Sequence, residues 1–143
     1  MRVFRSLVPP LLVWIIAGCG SSSAPSNNNA PPPAPNPNSD IGITLGAQTK
    51  TTTAFTPNPR SVALGGGASA TVRWINQDIS GGDYTMGTAV AHQITSSDNP
   101  AGFAMGPVLG GNATYSITLS APGTYNYHCN IHPNMVGTIT VTP

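Results

Sequence analysis

The stretch PGTYNYHCNIHPNMVGTITV, residues 122–141, decides the fold. Its first half alternates. Tyr125, Tyr127 and Cys129 fall on one side of an extended chain, and Thr124, Asn126 and His128 on the other. Aromatic rings on one side and polar groups on the other mark a strand with one face against a core. Cys129 is therefore expected to point inward and His128 toward solvent. A second strand, GTITV, begins again at residue 137, so the chain must reverse between the two. The reversing loop carries His132, Pro133, Asn134 and Met135, and a short closed loop can aim Cys129, His132 and Met135 at one point.

Upstream as far as Asp40 the texture is the same: short runs of Val, Ile, Thr and aromatics between Gly, Pro and Asn clusters. Candidate strands are IGITL (41–45), TAF (53–55), SVAL (61–64), ATVRWIN (70–76), AHQITS (91–96) and ATYSITL (113–119), beside GTYNYHC (123–129) and GTITV (137–141). In ATVRWIN, Val72, Trp74 and Asn76 share a face. In ATYSITL, Tyr115, Ile117 and Leu119 do. No ten-residue stretch combines helical periodicity with start and stop signals. The pattern predicts one all-β domain over residues 40–143, a Greek-key antiparallel β-sandwich of about eight strands.

The chain begins differently. MRVFRSLVPPLLVWIIAGCG has a short basic stretch, an apolar run from Leu11 to Ala17, and then small residues, the layout of an export signal over residues 1–18. The apolar run is shorter than the roughly 20 residues that a permanent spanning helix needs. Ile16-Ala17-Gly18-Cys19 resembles a bacterial lipobox, which implies that Cys19 becomes a lipid-bearing N-terminus. Residues 19–39 hold Ser, Asn, Pro, Ala and Gly and no large apolar side chain, so they are expected to form a semi-stiff tether without a core. The expected product is exported and membrane-anchored, facing the periplasm or the cell exterior. Without the signal, Lys50, Arg60 and Arg73 stand against Asp40, Asp78, Asp83 and Asp98, a net charge of −1. No basic patch invites nucleic acid.

Three donors on one loop leave a metal site incomplete, and His92, in AHQITS, is the one histidine left to close it once His128 is turned outward. The strand of His92 and that of Cys129 can lie side by side in a sandwich. The predicted metal set is His92, Cys129, His132 and Met135. Two imidazoles, a thiolate and a thioether form the trigonal pattern with a weak axial sulfur that suits copper in both oxidation states. Structural zinc more often takes several cysteines, and a thioether is foreign to it. With Cys19 lipidated, Cys129 has no disulfide partner, and a bound metal explains a thiol exported to an oxidising compartment.

On these residues the chain resembles the plastocyanin family of cupredoxins, over roughly residues 50 to 143. Cys-x₂-His-x₂-Met and the His-Pro step resemble amicyanin more than plant plastocyanin, and FTPNPRSVALGGGASATVRWINQD (55–78) is similar to the family's early strands. The resemblance implies one type 1 blue copper ion held by His92, Cys129, His132 and Met135. It also implies one-electron Cu(I)/Cu(II) transfer with a redox protein such as a c-type cytochrome or oxidase, and no enzymatic activity. His132 would match the family's exposed histidine, through which electrons pass, with Pro133, Phe103, Met105 and Pro107 as the docking patch around it. The chain is expected to act as a monomer.

Two departures from the family's pattern stand out. Gln93 replaces the Asn that often follows the first histidine, and ISGGDYTMGTAV (79–90) is longer than the usual run, as a lid or partner-binding loop would be. A His-Cys step like His128-Cys129 also occurs in copper nitrite reductases, where that histidine binds a second copper. Three histidines in the whole chain are too few for that centre. Two rival readings remain at this level: copper storage, delivery or sensing, which a Met/His-rich tract would have favoured, and a surface interaction module on a sandwich scaffold.

Overall fold

A computed structural model of the chain describes residues 36–64, 69–80, 88–99 and 101–143. The expected signal (1–18), the expected lipidation site Cys19 and the expected tether up to residue 35 lie outside the described residues. So do residues 81–87 of the long segment.

Ten strands follow one another: β1 (Asp40–Ile43), β2 (Phe55–Thr56), β3 (Arg60–Ala63), β4 (Ala70–Asn76), β5 (Ile79–Ser80), β6 (Thr88–Ala89), β7 (Ile94–Ser96), β8 (Thr114–Leu119), β9 (Gly123–Cys129) and β10 (Val136–Thr142). Eight of them build two four-stranded sheets, in the orders β2-β1-β4-β8 and β3-β10-β9-β7, and β5 and β6 form a separate two-stranded ribbon. The expected sandwich of eight strands is present, and its non-sequential orders are those of Greek-key connections. It is not wholly antiparallel. β1 runs parallel to β4, from Asp40↔Arg73 to Ile43↔Asn76, and β10 runs parallel to β3, from Ile139↔Arg60 to Thr142↔Ala63. Side-chain alternation is the same in both orientations, so the sequence pattern carries no information on direction. The expected TAF strand is also corrected. Thr52–Ala54 is a turn of 3-10 helix, and only Phe55–Thr56 pairs, with β1.

The core lies between the two sheets. Ile41, Val72, Trp74, Ile117 and Leu119 come from one sheet, and Val62, Ile94, Tyr127, Cys129, Ile139 and Val141 from the other. The Trp74 and Tyr127 rings meet edge to face with centroids 5.1 Å apart, tying β4 to β9 across the interface. Tyr127 lies opposite Gly137 in the β9–β10 ladder. A Cβ on Gly137 would sit 2.2 Å from Tyr127 Cζ, so the ring occupies the space that a side chain there would need.

At the chain's entry the domain uses both of its arginines. Asp40, buried, is paired with Arg73, while Arg60, also buried, donates to the carbonyls of Pro37 (2.7 Å) and Asp40. This junction stands beside the starts of β4 and β3, whereas β9 ends and β10 begins at the loop described next.

Candidate metal centre

β9 ends at Cys129 and the chain turns through residues 130–135 into β10. Two hydrogen bonds close this loop on itself: Met135 N–H donates to His132 O (3.0 Å), and Cys129 N–H donates to Met135 O (3.1 Å). Both sulfur side chains are thereby turned inward, and Cys129 and Met135 are fully buried. His132, between them, is half-buried.

His92 arrives from a neighbouring element. The predicted strand AHQITS shrinks to Ile94–Ser96, which pairs with β9 as expected, Ile94 opposite Cys129. His92 itself lies just before that strand, in an isolated bridge to Leu109, with His92 N–H donating to Leu109 O (3.1 Å) and Leu109 N–H to His92 O (2.7 Å). Its side chain is fully buried.

The three predicted donors His92, Cys129 and His132 converge. Cys129 Sγ lies 3.7 Å from His92 Nδ1 and 3.8 Å from His132 Nδ1, and the three donor atoms fall within 4.8 Å of one another. An ion about 2.0 Å from each nitrogen and 2.3 Å from the sulfur, at angles near 120°, spaces its ligands by about 3.7 Å. The donors thus fit a shared metal in trigonal arrangement, with the buried Met135 from the same loop. The thiol is already prepared to bind. Burial pushes its pKa up, but the hydrogen bond with His92 and the backbone N–H groups of Gln93, His132 and Ile131 outweigh that and bring it down to about 6. Burial lowers the pKa of His92, yet the partners Cys129 and Asp78 raise it above the usual histidine value.

Gln93 takes up the supporting position that the sequence left open. Its backbone N–H donates to Cys129 Sγ (3.4 Å), its Nε2 donates to Gly106 O (3.0 Å), and its Oε1 accepts from Asn130 Nδ2 (3.0 Å). The ligand loop is therefore tied to the His92 segment by a side chain one methylene longer than Asn. His128 is half-buried, with Nδ1 against Ser97 Oγ at 2.7 Å, away from the three donors.

Two residues that the sequence reading passed over complete the surroundings. Asn76, fully buried at the end of β4, donates through Nδ2 to Val90 O (2.8 Å) and Leu109 O (2.9 Å), bracing both segments that flank His92. Asp78, also buried, places Oδ2 3.0 Å from His92 Nε2 and accepts from the N–H groups of Gly46 (2.7 Å) and Ala47 (3.0 Å). The only signal was indirect: a buried imidazole needs a partner for its outer nitrogen, and the domain has four carboxylates to choose from.

A family model for the cupredoxin-like domain matches residues 12–141. The chain belongs to the cupredoxin family. It is 53% identical over 36 residues to amicyanin-alpha of Methylorubrum extorquens, covering 25% of this chain and 30% of that protein. It is 34% identical over 73 residues to amicyanin of Paracoccus denitrificans, covering 50% of this chain and 48% of that protein. The matched stretches thus span less than half of each of these two amicyanins. Among solved structures, a purple cupredoxin from Nitrosopumilus maritimus superposes with a TM-score of 0.58 at 25% identity, covering 73% of this chain and all of that one. The cofactor of this cupredoxin is copper, and His92, Cys129 and His132, with Met135 buried on the same loop, form a type 1 copper-like site.

Proposed function

We propose that this cupredoxin is a one-electron carrier whose copper is ligated by His92, Cys129 and His132, with Met135 as the axial donor. The observation that carries the reading is the position of Cys129 Sγ between two imidazole nitrogens, at 3.7 and 3.8 Å. Copper supplies the Cu(I)/Cu(II) couple when bound. The chain's part is to hold the donors in one geometry for both states. Gln93 N–H fixes the sulfur, Asn130 is fastened to Gln93, and the His132–Met135 turn closes the loop. A donor set that cannot relax keeps reorganisation on electron gain or loss small. The half-exposed His132 is the route by which electrons enter and leave. Four protein donors leave no position for a substrate, so the chain carries electrons and does not catalyse.

The partner is a redox protein of the c-type cytochrome or oxidase kind, met by a monomer. Apolar side chains exposed on the segments around the centre, Met105, Val108 and Ile131, support a docking surface there. Phe103, expected in that patch, is half-buried and packs on Trp74, with ring centroids 5.7 Å apart. Among the described residues no helix is long and apolar enough to cross a membrane. The lipobox-like IAGC at residues 16–19 supports export and anchoring through Cys19.

The test is to add Cu(II) to the purified domain and record its visible spectrum. An intense thiolate-to-copper charge-transfer band is expected, and it is expected to vanish in Cys129→Ser. Rapid reduction and reoxidation by a c-type cytochrome then separates a carrier from a store, which would exchange electrons slowly and release copper to a chelator.

A further inference from the structure

The outer nitrogen of a metal-bound histidine determines how the inner one behaves, and here that outer nitrogen faces a carboxylate. His92 Nε2 lies 3.0 Å from Asp78 Oδ2, and the two side chains are 0% and 1% exposed. The carboxylate is itself immobilised. Its Oδ1 accepts the Gly46 N–H at 2.7 Å and its Oδ2 the Ala47 N–H at 3.0 Å. Two successive N–H groups reach one carboxylate because Gly46 has a left-handed backbone, with φ of 68°. The Asp78 N–H is held by Asn76 Oδ1 (3.0 Å), and the Asp78 carbonyl accepts from Val90 N–H (3.0 Å).

A carboxylate accepts and does not donate, so the imidazole must carry its proton on Nε2. That leaves Nδ1 on the Cys129 side, to bind a metal through its lone pair or, in the metal-free chain, to carry a second proton toward the Cys129 thiolate. The carboxylate also changes the charge of the centre. With the thiolate and Asp78 both anionic, the buried assembly is neutral with Cu(II) and carries one net negative charge with Cu(I). A buried site of low effective dielectric favours the neutral state.

We infer that Asp78 is a positioning residue of the copper centre, which fixes the tautomer and orientation of His92 and sets the reduction potential lower than a neutral partner would. The inference rests on the ligand reading above for its electronic part. The orientation of His92 is a property of the metal-free chain as well.

Two measurements test it. In metal-free protein labelled with ¹⁵N, the His92 signals are expected to report a protonated Nε2 whose proton lies far downfield, as in a hydrogen bond to a carboxylate. In D78N that proton should move upfield or the tautomer should switch to Nδ1–H. A wild-type His92 protonated on Nδ1 alone, or signals unchanged by the substitution, would overturn the inference. In the copper-loaded protein, D78N is expected to shift the reduction equilibrium toward Cu(I) at least about tenfold, which is 59 mV for one electron. Gly137→Ala crowds Tyr127 in the core without touching Asp78 or the groups that hold it, and should lower stability while leaving that equilibrium in place. A D78N potential equal to or below the wild type, or an equal rise in Gly137→Ala, would refute the electrostatic role. A chain that takes up no copper would sink the carrier reading, and the metal-free spectra would still decide where the His92 proton resides.

Discussion

The properties of the centre begin with the environment of a single sulfur. Cys129 is fully buried, and a buried thiol in apolar surroundings resists ionisation. Here the His92 ring and three backbone N–H groups reverse that tendency and bring the pKa down to about 6. The sign of the consequence follows directly. Above about pH 6 the metal-free protein holds a thiolate ready for the metal, and below it a proton must leave for each ion that enters. Apparent copper affinity is therefore expected to level off, as far as this group is concerned, above about pH 6 and to fall about tenfold per pH unit below it. Ultraviolet thiolate absorbance of the metal-free protein, compared with Cys129→Ser, measures the midpoint, and competitive chelation measures the affinity slope. A midpoint close to the ordinary thiol value of 9.0 would show that His92 and the loop N–H groups do not act on the sulfur.

Strands carry these residues into register, and they show what a sequence can and cannot disclose. ATVRWIN and GTYNYHC were legible to the residue as β4 and β9, because apolar and polar residues alternate along most of each and turn residues bound them. From β9 alone the inward course of Cys129 and the closing of the loop on Met135 could be read. His92 was assigned to the right neighbourhood by elimination among three histidines, but its support could not be foreseen. The bonds from Asn76 to Val90 and Leu109 link residues 14 and 33 positions apart, and Gly46 lies 32 positions from Asp78. Such partners are chosen by the tertiary fold, as is the parallel direction of β1 on β4. The same tertiary logic gives Gly137 its importance. In the sequence it is one more turn-forming glycine. In the β9–β10 ladder it lies opposite Tyr127, whose ring fills the volume of the missing side chain. Gly137→Ala is expected to push that ring against Trp74 and Phe55 and to cost about 2–3 kcal/mol by overpacking. Urea denaturation would read this as a lower midpoint at unchanged slope. The copper spectrum should persist, since the displaced ring packs on Phe55 and Trp74 and no donor is altered.

On the scale of the whole molecule the governing fact is how little charge reaches the surface. Among the described residues, Asp40, Arg60 and Asp78 are buried, and Arg73 is spent on Asp40. Lys50 is fastened to its own loop, through the carbonyl of Leu45 at 2.7 Å, and the Asp98 carboxylate accepts from both Asn126 nitrogens at 3.1 Å. By contrast Leu45, Met105, Val108 and Ile131 are each more than two-fifths exposed. A partner approaching such a surface feels almost no long-range field, so encounter is not steered, and what attraction there is comes from apolar contact at short range. The second-order rate of electron transfer with a c-type cytochrome should then change by less than about threefold between low ionic strength and ~0.5 M salt, over which exposed charges become fully screened. Introducing a charge into the apolar surface has the opposite effect. Ile131→Asp, beside His132 on the ligand loop, should slow the reaction and make it salt-dependent, while the visible spectrum stays the same because no donor has moved. Stopped-flow rates at several salt concentrations for both proteins decide the matter. A wild-type rate that falls tenfold or more with salt would show that charge guides docking after all, and an unaffected Ile131→Asp would show that the partner meets the protein on another face.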